Sequence, residues 1–147
     1  MGARKRLAAE ARKENNKDRC IARLVNNNTS PRKTRLMADL VRGKDVEHAL
    51  NLLKYSKKES SDKIRKVILS AIANWQTKNE TSRLEDSNLY VKEIFVDGGT
   101  MLKRLRTAPK GMGYRIRKRS NHITVVLDSK MVEIEEEQEK IVNQTEN

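Results

Sequence analysis

The sequence predicts an α+β fold that ends in a long β-hairpin, and three observations predict it. Apolar residues recur at helical spacing in three successive segments between Ser30 and Trp75. Two runs rich in β-formers, Leu89–Val96 and His122–Leu127, come after them. Between those runs lies a basic stretch with its proline and glycines gathered at Thr107–Gly113. Strands at either end of such a stretch pair antiparallel, so the residues between them become the arms and tip of a hairpin.

The elements follow in order. Residues 1–19 carry seven Lys or Arg against three acids and little apolar content. They predict a basic N-terminal extension, frayed and solvated until RNA is present. Cys20–Val25 predicts a short strand that stops at Asn26-Asn27-Asn28. Ser30 stands as a helix cap with Pro31 in the first turn, where a missing N–H costs nothing. Leu36, Met37, Leu40 and Val41 are the expected buried face, and Gly43 the left-handed residue that ends the helix. Asp45 caps the next helix, which buries Val46, Ala49, Leu50 and Leu53. Ser56 and Glu59 have capping-box spacing, with Ser60 or Ser61 as other candidate caps. Ile64, Val67, Ile68, Ala71, Ile72 and Trp75 then form one apolar stripe, the expected main core helix. Thr77–Asn88 is polar and turn-like. The chain thus predicts a single domain over 20–129, including an extended hairpin over 97–123. Residues 130–147, with six acids and two lysines, predict a solvated acidic tail, a short helix being the other option.

Charge points to the partner. Among 147 residues, 32 are Lys or Arg and 20 are Asp or Glu, a formal net charge of +12. Such a surface attracts polyanions, because neutralising phosphates releases condensed counterions. No run approaches the ~18 apolar residues that span a bilayer, and the basic start lacks the apolar region of a secretory signal. Nucleic acid is therefore favoured over membrane, with a cytoplasmic location expected. The single cysteine, Cys20, excludes an internal disulfide.

The basic stretch 100–122 holds eight Lys or Arg and no acid. On a strand, Arg115, Arg117 and Arg119 share one face, and Arg104 and Arg106 share a face of the opposing arm. Lys103, Lys110 and Lys118 complete the set, with His122 beside it. A hairpin cationic on both arms cannot be a core element, and a two-stranded ribbon is marginal alone. Surrounding phosphates would stabilise it, and Arg and Lys both suit RNA backbones. A soluble edge hairpin would need one or two lysines, not this cluster. A second basic group, Arg32, Lys33, Arg35, Arg42 and Lys44, surrounds the helix that Ser30 opens. Arg32 and Lys33 oppose the helix dipole there, which favours a phosphate ligand over a merely solvated face. Lys57, Lys58, Lys63, Arg65 and Lys66 form a third group, interrupted by Glu59 and Asp62 and assigned to ordinary surface.

Of the five aromatic residues only Tyr114 lies in the basic stretch, so recognition is expected of folded RNA through shape and backbone. An enzyme is hard to assemble. His48 and His122 lie far apart, neither accompanies a recognised nucleophile pattern, and metal spacing and phosphate-loop motifs are absent. No cofactor or metal is expected. A free-standing nucleic-acid chaperone or DNA-binding module is the alternative reading; it predicts tight binding to arbitrary duplex DNA.

Three stretches carry a more specific resemblance: SPRKTRLMADLVRGKDVEHALNLL, KVILSAIAN and IFVDGGTMLKRLRTAPKGMGYRIRKRSNHITVVL. Together they resemble the bacterial large-subunit ribosomal protein L-twenty-two family from about Ala22 to Leu127. The resemblance implies three helices packed on a small antiparallel three-stranded sheet, with a long projecting hairpin. It also implies binding to several domains of large-subunit ribosomal RNA, a role in assembly, and a tip forming part of the nascent-peptide exit tunnel beside ribosomal protein L-four. Homo-oligomers are not expected. Lys103, Arg104, Lys110, Arg115, Lys118, Arg119 and His122 match the family's basic hairpin positions, and Ser30, Lys33 and Arg35 its helix start. The tip, Leu105, Arg106, Thr107, Ala108, Pro109, Lys110, Gly111 and Met112, would face the nascent chain. Here the sequence departs from the family, since Ala108 and Met112 occupy usual arginine positions and Gly99-Thr100 stands where Gly-Pro is common.

Overall fold

The computed structural model describes residues 3–79 and 87–129. The acidic segment 130–147 and most of the turn expected after Thr77 lie outside them. The chain runs α1 (Ala3–Asp18), β1 (Cys20–Asn27), α2 (Pro31–Val41), α3 (Val46–Tyr55), α4 (Glu59–Lys78), β2 (Leu89–Thr107) and β3 (Gly113–Ser129). The α+β class holds, with one antiparallel sheet in the order β1-β3-β2.

The described residues contain four helices rather than three. The additional one is α1, where a frayed segment was expected. Its sequence, ARKRLAAEARKENNKD, is rich in Ala, Arg, Lys and Glu, all strong helix formers. Arg6 and Glu10 pair across one turn at 3.5 Å, and the Arg12 guanidinium donates to the Ala8 carbonyl at 3.2 Å. No residue from Ala3 to Glu14 is buried.

The core lies between α2–α4 and one face of the sheet. Ala22, Val125 and Ile94 are in register across the three strands and all buried, and Ile123 pairs with Val96 beside them. Leu53 of α3 and Ile64, Ile68 and Ala71 of α4 close over them with no exposed surface. Each of the Leu, Ile and Val side chains among them contributes about 1.5–3 kcal/mol on burial. The predicted stripe of α4 is confirmed, although Ile72 is only half-buried. The helix continues past Trp75 to Lys78, where Asn74 donates to the Ile21 carbonyl at 3.0 Å and holds α4 along β1.

Two local expectations are corrected. The buried face of α2 is Thr34, Met37, Ala38 and Val41, while Leu36 and Leu40 are exposed. That rotation brings a threonine inward because a polar cluster awaits it. The caps also differ. Ser30 and Asp45 occupy the cap positions of α2 and α3 but supply backbone carbonyls rather than side-chain bonds. Lys58, not a serine, occupies the cap position of α4, and the Ser61 hydroxyl donates to the Lys58 carbonyl at 2.6 Å.

Gly43 is left-handed (φ +72°), and its N–H donates to the Val91 carbonyl at 2.8 Å, tying the α2–α3 turn to β2. On the same edge, the Arg35 and Arg42 guanidinium groups donate to the Val96 and Ile94 carbonyls at 3.0 and 3.1 Å. Burial pushes the Cys20 thiol up, with Lys78 acting in the opposite direction, so this cysteine is core filling rather than a nucleophile.

Candidate nucleic-acid interface

β2 and β3 stay paired well beyond the helices, from Leu89↔Ser129 to Thr107↔Gly113. Between Gly98 and Met101, β2 advances three residues while β3 advances two, a β-bulge. Gly99 sits inside it. A Cβ there would lie 2.7 Å from Ser120 Oγ, 3.2 Å from the Ser120 carbonyl carbon and 3.3 Å from the Asn121 amide nitrogen, so this close approach favours glycine. The Ser120 hydroxyl donates to the Thr100 carbonyl across the bulge.

β3 itself runs straight through. Its core-facing positions Leu127, Val125, Ile123 and Asn121 are followed on the same side by Arg119, Arg117 and Arg115. The register places Lys103 opposite Arg117 and Leu105 opposite Arg115 on that face. The other face carries Arg104 and Arg106 opposite Ile116 and Tyr114, together with Lys118. The sharing of faces predicted for each arm is therefore correct, and the two sets point to opposite sides of the ribbon. Every residue from Leu102 to Thr107 and from Gly113 to Arg119 is exposed. At the end, the Ala108 amide donates to the Met112 carbonyl at 2.9 Å, with Lys110 (φ 60°) and Gly111 (φ +69°) left-handed between them. The turn falls where proline and glycine predicted it.

At the root of the ribbon, Arg117, Lys118 and Arg119 line a cleft of about 880 Å³ with Ser30 and Lys33 of the α2 start. Two basic groups separated by more than 80 residues thus meet. Lys57 and Lys58, at the start of α4, complete the ring. These two were assigned to surface because acids interrupt their group. In the fold, Glu59 lines the cleft beside them but pairs with Lys63 at 3.1 Å, and Asp62 pairs with Arg65 at 3.7 Å. The signal that could have found Lys57 and Lys58 is the one that found Lys33: cations at a helix start, opposing the dipole.

A buried hydrogen-bond network forms the floor of this region. Asn121 Nδ2 donates to the Thr29 carbonyl at 2.9 Å and to Thr34 Oγ1 at 3.0 Å, and Asn121 Oδ1 accepts from Asn27 at 2.9 Å. Thr34 also meets the Ser60 hydroxyl at 3.3 Å. The end of β1, the starts of α2 and α4 and the root of β3 are therefore locked to one another. A satisfied polar cluster fixes geometry more narrowly than apolar packing does. It sets the angle at which the cationic ribbon meets the helix starts.

The remaining predicted residues lie elsewhere. Arg32 is exposed at the α2 start without lining the cleft. Arg35 is turned to the β2 edge, as described above. His122 lies on the opposite face of β3, where its Nδ1 accepts the Asn26 amide at 3.0 Å and braces the left-handed Asn26 at the end of β1. No cluster of His, Cys, Asp or Glu able to hold a metal occurs among the described residues, and no helix among them is long and apolar enough to cross a membrane.

Comparison with known proteins bears on this arrangement. The family model described as ribosomal protein L22p/L17e matches residues 22–128, from β1 through both arms to the end of β3. The chain belongs to the ribosomal protein L22p/L17e family. Proteins named large ribosomal subunit protein uL22 are 63% identical over 127 residues in Christiangramia forsetii and 60% over 129 in Flavobacterium psychrophilum. The one in Porphyromonas gingivalis is 55% identical over 129 residues. These alignments cover 86–88% of this chain and 94–96% of the relatives. Membership in L22p/L17e makes the chain a ribosomal protein of the large subunit and not an enzyme.

Proposed function

We propose that this protein is a structural constituent of the large ribosomal subunit that binds large-subunit ribosomal RNA through the ribbon and the cleft at its root. The observation that carries this reading is the juxtaposition of Lys33, Lys57, Lys58, Arg117 and Arg119 around one cleft, continuous with a ribbon cationic on both faces. Lys103, Arg115 and Arg117 would meet one RNA segment, and Arg104, Arg106 and Lys118 another. A ribbon contacted on both sides joins RNA elements that are otherwise apart, and this is the basis for a role in assembly. Ser30, Arg32 and Arg35 would support the contact at the α2 start, and His122 the opposite face.

The tip would have a different task. From Leu105 to Met112 the side chains are mostly uncharged, with Arg106 and Lys110 the only cations. Family membership supports placing this turn in the wall of the nascent-peptide exit tunnel, beside ribosomal protein L-four. Ala108 and Met112 would make that stretch of wall less positive than arginines would.

Reversing charge at Arg115, Arg117 and Arg119 together, each to Glu, should abolish incorporation into large subunits while leaving thermal unfolding of the isolated protein unchanged. Normal occupancy of the variant in salt-washed subunits would remove the ribbon from the interface. Affinity of the wild type for its ribosomal RNA should fall with salt by a log–log slope of about −0.7 to −0.9 per phosphate contacted.

A further inference from the structure

We infer that α1 is a second RNA-binding element, independent of the ribbon and directed at the phosphate backbone of a folded RNA. The inference rests on the ribosomal-RNA reading above, and concerns a helix that lies outside the matched residues 22–128.

The charges of α1 are sorted by face. Arg4, Lys5, Ala8, Ala9 and Arg12 fall at i, i+1, i+4, i+5 and i+8, which is one side of a helix. Glu10 and Glu14 fall on the other side, where Arg6 pairs with Glu10. One face is thus cationic without any acid, and the alanines between its cations let a polyanion approach the helix closely.

The placement of charge along the helix does not serve the helix. Arg4, Lys5 and Arg6 crowd the first turns, which contain no acid. These cations oppose the macrodipole. Nor does tertiary packing explain them, because no side chain from Ala3 to Glu14 is buried. A helix of 16 residues without tertiary support is marginal in water. Phosphates along the Arg4–Arg12 face would remove the repulsion among its cations and oppose the dipole penalty. An anionic membrane is the poorer fit, since Leu7 is the one large apolar side chain among residues 3–14 and a surface-lying helix needs an apolar face.

The test uses the full chain with large-subunit ribosomal RNA, titrated with salt. Three proteins are compared: wild type, the triple variant Arg4→Gln, Lys5→Gln and Arg12→Gln, and the double variant Glu10→Gln and Glu14→Gln. Gln retains helix propensity, and circular dichroism checks that helix content is kept. The triple variant should bind more weakly, with a log–log salt slope shallower by roughly 2–3 than that of the wild type. The double variant should bind as well as the wild type or better. A triple variant with the wild-type slope would overturn the inference while leaving the ribbon reading intact, provided the Arg115, Arg117 and Arg119 variant still loses binding. Loss of binding to phosphatidylserine vesicles, with ribosomal RNA binding unchanged, would overturn it in favour of a membrane. If the wild type itself fails to bind this RNA, both readings fall.

Discussion

β2 and β3 are one pair of strands with two different lives on either side of the Gly98–Met101 bulge. On the helix side, alternate residues such as Ile94, Val96, Ile123 and Val125 are buried under α2 and α4. On the far side the alternation continues with the same period, but Arg115, Arg117 and Arg119 replace the aliphatics and remain exposed among the described residues. The ladder is the same in both halves; the source of stability is not. The near half draws on apolar burial. The far half has backbone pairing alone, and pairing of two strands without a core is marginal. On the function proposed above, the ribbon is half of an interface whose other half is RNA.

Mutations can sharpen this contrast. The largest effect is expected deep on the near side. Ile68→Ala, at a position with 0% exposure, should cost about 2–5 kcal/mol in urea unfolding. Loss of less than a kilocalorie would mean that α4 is not the main source of core stability. Asn121→Ala comes next, at the junction. It leaves Asn27, Thr29 and Thr34 short of partners, at about 1–3 kcal/mol. RNA affinity of the folded variant should also fall, because the ribbon would no longer be held against the α2 and α4 starts; unchanged affinity would reduce the network to core filling. Gly99→Ala forces a Cβ against Ser120 Oγ at 2.7 Å and should cost about 1–3 kcal/mol, read as a lowered melting temperature. The smallest effect belongs to the far side. Leu105→Ala, at 76% exposure, should change stability by less than about 0.5 kcal/mol. A larger loss would show that the ribbon has a core of its own.

Much of this molecule is legible in residue order. The stripe of α4, the left-handed Gly43, the pairing of Leu89–Val96 with His122–Leu127 and the turn at Thr107–Gly113 all follow from period and turn chemistry. The errors have a common physical origin. Leu36 and Leu40 match a helical stripe as well as Met37 and Val41 do, and only the neighbouring Asn121–Thr29 cluster decides that Thr34 faces inward. Ser30 was a sound cap candidate, but it sits where a backbone carbonyl suffices. Lys57 and Lys58 stand beside Glu59 and Asp62 in the chain, and only the fold, which pairs those acids with Lys63 and Arg65, brings the two lysines to the cleft with Lys33 and Arg117. In α1, helix propensity is high but no apolar face accompanies it, so periodicity carries no signal there.

Sequence by itself determined the α+β class, the antiparallel hairpin and its acid-free charge, because period, turn residues and net charge are local or additive properties. Tertiary structure alone decided which cations share a site. The meeting of Lys33, Lys57 and Lys58 with Arg117 and Arg119 depends on an unslipped β3, a bulge confined to β2 and a buried polar network that locks four elements together. None of these distances is encoded in spacing along the chain, since each arises from contacts between segments that sequence leaves far apart.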